Sequence, residues 1–253
     1  MRVPRGFLIA VAVLVSVAAG CGGGPEGDSA DDITVFATSS LTGAFTEIGE
    51  AYMAEYPGSK VTFNFAASSE LVAQINEGAP ADVFASADLE NMAKLTDAGN
   101  NSSEPVVFAT NAAQIIVAPG NPLGITGVAD LADEDLVVVV CAPEVPCGTY
   151  ASTVFDNAGV AVTPKSFEEN VKAVVAKVTL GEADAGIVYV TDVIAAGDAA
   201  AGIDIPSDIN VVAQYPIAVT KETSNAAGAQ AFIDFVVSEQ GQRILASYGF
   251  LAP

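Results

Sequence analysis

Two short segments place hydroxyls where an anion could sit: Ala37-Thr38-Ser39-Ser40-Leu41-Thr42 and Ala66-Ala67-Ser68-Ser69-Glu70-Leu71. Each follows an alternating apolar run (residues 33–36 and 61–65) and precedes a stretch of helical periodicity, so both fall at strand-to-helix turns. At such turns the free N–H groups of the first helical turn and the positive end of the helix dipole converge, which makes a seat for an oxyanion. A single serine there is more often an N-cap. The chain has no histidine and carries 31 acids against 9 bases, a formal charge of −22. An anion held by this chain therefore rests on neutral donors rather than on a lysine cluster.

The same balance excludes a nucleic-acid surface, which needs a basic face, and the missing histidine argues against a transition-metal cation site. A serine hydrolase built on Ser40 or Ser68 would need an activating base. The chain offers no His, no GxSxG elbow and no SxxK sequence at these serines. Asp82 and Asp88 read as caps and loop hydrogen-bonders, since no His or Lys partners them in sequence. We therefore expect a binding protein and not an enzyme, with no cofactor.

The elements that must position these residues begin after a targeting segment. Arg2 and Arg5 precede an apolar run over residues 7–17, and Val17-Ala18-Ala19-Gly20-Cys21 follows. Small residues before a cysteine resemble a bacterial lipobox, although Ala18 stands where a larger aliphatic residue is commoner. Ordinary signal cleavage and an uncleaved anchor are the alternatives. The reading is a signal peptide over residues 1–20 and a lipidated flexible tether over 21–32, with Cys21 acylated and the body held on the outer face of the cell membrane. Cys141 and Cys147 remain, in a compartment that permits oxidation. They bracket a short loop that a disulfide could close, or they are two buried thiols.

Beyond the tether, strands are expected at residues 33–36, 61–65, 82–85, 136–140 and 185–190. Apolar runs at 106–110, 113–118, 211–215 and 217–219 read as strand-like. Helices are expected at 43–56, 69–76, 89–98, 150–158, 168–180 and 226–247. This alternation predicts an α/β protein with open, mostly parallel sheets flanked by helices. The length suits two lobes. In such sheets ligands sit beyond the carboxyl ends of the strands, where both serine segments lie.

Four further segments join the serine turns: the run from Gly78 to Asp88, Pro143-Glu144-Val145-Pro146-Cys147-Gly148-Thr149-Tyr150, Glu169-Asn170-Val171-Lys172 and Gly186-Ile187-Val188-Tyr189. In this order the set resembles the periplasmic molybdate/tungstate-binding proteins of ABC importers, from Ile33 to Tyr248-Gly249-Phe250. The resemblance implies a two-lobed (type II) periplasmic binding-protein fold, with residues 33–109 and 216–253 in lobe 1 and 110–215 in lobe 2. It implies a monomer that captures molybdate or tungstate and delivers it to an ABC importer permease.

The implied contacts are Ser40 and Ser68 through hydroxyl and N–H, Cys147 and Val171 through N–H, and Tyr189 through its phenol. Molybdenum or tungsten is then held only as the oxyanion, with no direct protein ligand. Cys147 departs from the small alanine-like residue more usual there. These groups make seven donors and no obligatory acceptor, which disfavours an anion that keeps a proton. A receptor for sulfate or an organic carboxylate on the same fold is the alternative.

Overall fold

The computed structural model describes Met1 and residues 32–253. The expectations for the signal segment, for Cys21 and for the tether up to residue 31 lie outside the described residues. The first part of the chain folds as β1 (Asp32–Thr38), α1 (Thr42–Glu55), β2 (Lys60–Ala66), α2 (Ser68–Asn76), β3 (Val83–Ala85) and α3 (Leu89–Asp97). A long strand, β4 (Val106–Val117), leads to β5 (Val138–Cys141), α4 (Pro146–Ala158), β6 (Ser166–Glu168), α5 (Val171–Thr179), β7 (Ala185–Tyr189), α6 (Val190–Ala196) and β8 (Ala201–Asp204). The chain returns through β9 (Val212–Val219) and closes with α7 (Ala226–Val237) and α8 (Glu239–Ser247).

The strands follow the order β2-β1-β3-β9-β4-β7-β5-β6, with β8 also on β4. β1 pairs in parallel with β2 and β3, and β5 in parallel with β6 and β7. Pairings that involve β4 and β9 are antiparallel. β4 joins two sets of strands: its first half pairs with β9, and Ala113–Val117 pairs with β7. β5 is buried along its whole length, as expected of a strand covered on both faces.

Several boundaries differ from the sequence expectation, each for a local reason. The two apolar runs before residue 118 are one strand, because Asn111 stays in the β4 ladder opposite Ala213. The two runs on either side of Pro216 are also one strand. Pro216 faces Val107 beside a register shift, where its missing N–H is tolerated, and its carbonyl accepts from the Ser86 N–H at 3.0 Å. The single closing helix is two helices. Ser238 takes an extended ψ of 164°, and its Oγ caps α8 by accepting from the Gly241 N–H at 3.2 Å. The helix expected from residue 168 starts at Val171, because Ser166–Glu168 pairs with β5 and Asn170 caps α5. α6 and β8 were not anticipated.

Three buried clusters hold these layers together. One lies under α2 and α3 around Phe36, Leu71, Phe84 and Leu95. Another fills the β5-β7 side around Ile115, Val138, Val154 and Ile187. The third runs across both strand sets, from Phe45 and Phe232 through Phe108 and Tyr215 to Tyr189, Val171 and Val174. Ring contacts trace it: Phe45 to Phe108 at 5.6 Å, Phe108 to Tyr215 at 6.3 Å, and Tyr215 to Tyr189 at 6.1 Å. The candidate residues sit along this shared cluster.

Candidate anion-binding site

All five residues singled out in the sequence lie at the N-terminal ends of helical segments. Ser40 is in the 3-10 turn Ser39–Leu41 that carries β1 into α1, and Ser68 opens α2. Cys147 is the second residue of α4, Val171 the first of α5, and Tyr189 the last of β7, directly before α6. α4 thus begins four residues earlier than expected. Proline is favourable at its first position, where no N–H is needed. The first N–H groups of α4 and α5, those of Cys147 and Val171 included, have no intrahelical acceptor.

Neither serine caps its helix. No side chain caps α2 or the 3-10 turn. The Ser68 Oγ instead accepts from the Ala87 N–H at 3.0 Å, and the Ser40 Oγ lies 3.0 Å from the Tyr215 Oη. Capping falls to other residues: Asp88 accepts from the Asn91 N–H at 2.8 Å, and Asn170 from the Ala173 N–H at 3.1 Å. The Asp82 carboxylate accepts from the Thr34 N–H at 2.7 Å and the Thr223 hydroxyl at 2.6 Å, a structural role as expected.

Cys141 and Cys147 are joined by a disulfide with their Cα atoms 5.6 Å apart. It ties the end of β5 to the first turn of α4 and leaves no thiolate beside Cys147. Gly148 is required there, because a Cβ would collide with the Ala142 carbonyl. Both sides of the chain then meet. The start of α5 packs against the Ser39–Leu41 turn. The Tyr150 phenol on α4 donates to the Ala87 carbonyl at 3.3 Å, beside Ser68. The Tyr189 ring stands edge-on to Tyr150 at 6.2 Å and to Tyr215 at 6.1 Å.

The Tyr189 hydroxyl is buried and meets no hydrogen-bond partner among the described residues. Burial, and then the neighbouring Tyr215, Tyr150, Asp192 and Asp88, pushes its pKa well above the usual phenol value. The group is a neutral donor lacking an acceptor, which is costly unless something accepts from it. Asp192 lies just behind. Its carboxylate accepts from the Tyr189 N–H at 3.2 Å and pairs with the Lys172 ammonium at 2.8 Å. Burial raises the Asp192 pKa, while Lys172 and the N–H oppose the rise. A groove of about 320 Å³ lies between Ala67, Ser69 and Glu70 on one side and Ala142, Glu144, Val145 and Glu169 on the other. Its walls carry three carboxylates. The candidate site therefore offers hydroxyls, a phenol and helix-start N–H groups, and the nearby Lys172 ammonium is already paired with Asp192.

The family model for bacterial extracellular solute-binding proteins matches residues 33–251. The chain is a bacterial extracellular solute-binding protein. It is 43% identical over 249 residues to the molybdate-binding protein ModA of Mycobacterium tuberculosis, covering 96% of this chain and 95% of that one. The solved periplasmic molybdate-binding protein of Azotobacter vinelandii aligns with a TM-score of 0.74 at 20% identity, over 87% of this chain and 99% of that chain. The sulfate-binding protein SubI of Mycobacterium tuberculosis aligns with a TM-score of 0.77 at 20% identity, over 87% and 86%. The solute-binding protein thus has the expected two-lobed α/β fold of periplasmic binding proteins.

Four residues of this solute-binding protein escaped sequence reasoning. Tyr215 and Asn111 lie mid-strand, where their side chains look like ordinary ladder residues. Tyr150 follows Pro146 closely in sequence, but its phenol meets the Ala87 carbonyl 63 residues away. Asp192 sits in α6, a helix of seven residues, too short to show a helical period.

Proposed function

We propose that this protein captures a tetrahedral, fully deprotonated oxyanion, molybdate and also tungstate, between its two lobes and hands it to the permease of an ABC importer. The contacts are the hydroxyls and N–H groups of Ser40 and Ser68, the N–H groups of Cys147 and Val171, and the Tyr189 phenol. Lobe 1 comprises residues 33–109 and 216–253, and lobe 2 residues 110–215, with β4 and β9 crossing between them. The protein acts as a monomer without catalysis, anchored outside the cell through lipid on Cys21.

The observation that carries this reading is the buried Tyr189 hydroxyl without an acceptor, set among helix N-termini. Both serines, moreover, are free of capping duty. Hydrogen bonds to an ionised partner contribute about 1.5–3 kcal/mol each, so seven donors support tight binding after ordering costs. Identity to the mycobacterial ModA over nearly the full length points to molybdate as the cargo. Calorimetric titration with molybdate, tungstate, sulfate, hydrogen phosphate and small carboxylates tests it. Binding of molybdate and tungstate in preference to the others is expected. A protein that takes up sulfate or a carboxylate and ignores molybdate refutes the assignment.

A further inference from the structure

We propose that Tyr150 latches the two lobes together over the bound anion, so that it slows release without itself being a ligand. The inference rests on the two-lobed oxyanion reading above and goes beyond it, to the step that lets the cargo go.

The two partners of the latch belong to different lobes, and each is held within its own. The Tyr150 phenol on α4 donates at 3.3 Å to the Ala87 carbonyl, in the loop between β3 and α3. A carbonyl only accepts, so the phenol must be the donor. That loop is pinned to lobe 1. The Ser86 N–H donates to the Pro216 carbonyl at 3.0 Å, the Ala87 N–H to the Ser68 Oγ at 3.0 Å, and the Asp88 N–H to the Ser86 Oγ at 3.2 Å. Tyr150 is pinned to lobe 2. The first turn of its helix is tied to β5 by the Cys141–Cys147 disulfide, and its ring meets Tyr189 edge-on at 6.2 Å. Burial, and then the nearby Asp88 and Glu90, pushes the Tyr150 pKa above the usual phenol value, so the donor keeps its proton at neutral pH.

Neither partner lies on β4 or β9, the strands that cross between the lobes. The bond therefore forms at one setting of the lobes, and opening returns both groups to water. It also stands between residues proposed to hold the anion. The Ala87 peptide gives its N–H to Ser68 and its carbonyl to Tyr150, whose ring supports Tyr189. The closure that brings Ser68 and Tyr189 onto one anion thus completes the latch as well. A contact made on closing stabilises the closed complex and raises the barrier to opening. The encounter of the anion with the open form does not involve it.

The test is Tyr150→Phe in the full chain, which keeps the ring and loses the phenol. Radiolabelled molybdate chased with excess unlabelled anion gives the release rate, and stopped-flow tyrosine fluorescence gives the association rate. Release should be about fivefold faster, the size of one hydrogen bond, with association unchanged. A merely structural role would slow association too, because the site itself would be misplaced. Unchanged release, or faster release matched by slower association, overturns the proposal. Should Tyr150→Phe fail to fold, Tyr150→Met also lacks the donor and is scored by the same two rates. A wild type that ignores molybdate but binds sulfate refutes only the cargo, and the rates are then read with radiolabelled sulfate. Failure to bind any oxyanion refutes the proposed function. The latch is then scored by small-angle scattering, where Tyr150→Phe should have a larger radius of gyration than wild type, and equal radii overturn it.

Discussion

Replacing Tyr189 by phenylalanine separates a binding role from a packing role, because the two predict opposite signs without ligand. The ring packs edge-on to Tyr150 and Tyr215, and phenylalanine keeps that packing. Only the hydroxyl is lost, a buried group without a partner. Leaving such a group unsatisfied costs about 1–3 kcal/mol. The variant should therefore be more stable than wild type without anion, by up to that amount. For a chain of this size 1 kcal/mol corresponds to a rise of about 2–4 °C in Tm. With anion the sign reverses. A charge-assisted bond worth about 1.5–3 kcal/mol is gone, and molybdate affinity falls roughly 10- to 150-fold. Thermal unfolding with and without molybdate, combined with calorimetry, reads both quantities on the same samples. A variant that is destabilised without anion and binds molybdate normally would show that the hydroxyl serves the fold, and would refute the reasoning.

Replacing Cys141 and Cys147 together by alanine removes a short closed loop, and urea unfolding should show a loss of about 2 kcal/mol. Calorimetry should show weaker anion binding as well, since the first turn of α4 is no longer tied to β5. Unchanged affinity would mean that Pro146 alone holds the Cys147 N–H in place. Glu70, Glu144 and Glu169 line the groove, so the association rate of a dianion, followed by stopped-flow tyrosine fluorescence, should rise with ionic strength. A rate that falls with salt would contradict this. Lys172→Met leaves the buried Asp192 carboxylate without its cation and should cost about 2 kcal/mol at neutral pH, less than for a fully buried pair because the ammonium is 37% exposed. A carboxyl whose folded pKa is raised binds its proton more tightly than the unfolded chain does. Losing Lys172 raises that folded pKa further, so the deficit should be absent in acid, open as pH rises through the raised wild-type value and level off above the variant's still higher one. Urea unfolding across pH measures it, and a deficit independent of pH would refute the role of Asp192.

The strand-to-helix turns were legible because their signals are local. Alternating apolar residues ended at Thr38 and Ala66, and helical spacing began at once. Asp88 could be read as a cap for the same reason. What stayed hidden depended on distant partners. Nothing near Pro216 in the sequence says that Val107 faces it across a register shift, so one strand looked like two. Ser238 breaks the closing helix through its own cap to Gly241, yet the apolar spacing continues across it. Residues 190–196 are short and alanine-rich, and α6 is positioned by Asp192, which accepts from the Tyr189 N–H and pairs with Lys172 from another helix. Tyr215 lies 175 residues from Ser40, whose hydroxyl it meets at 3.0 Å. A hydroxyl-to-hydroxyl contact over that separation leaves no mark on periodicity.

The opening turns also acquire an electrostatic meaning that their residues alone did not carry. A helix N-terminus behaves as about half a positive charge. On the proposed reading, the anion meets the turn leading into α1 and the starts of α2, α4 and α5. Four such ends supply about two elementary charges, the charge of a dianion. The nearby Lys172 adds little net charge, because Asp192 cancels it at 2.8 Å. Neutralisation is thus built from backbone dipoles that cannot titrate. A chain with a formal charge of −22 can in this way hold a dianion without a free cation. The same fixed charge overcompensates a singly charged anion, so the backbone dipoles select for dianions by charge alone. A singly charged tetrahedral anion such as perchlorate should therefore bind weakly, and calorimetry showing it bound as tightly as a dianion would refute the dipole account.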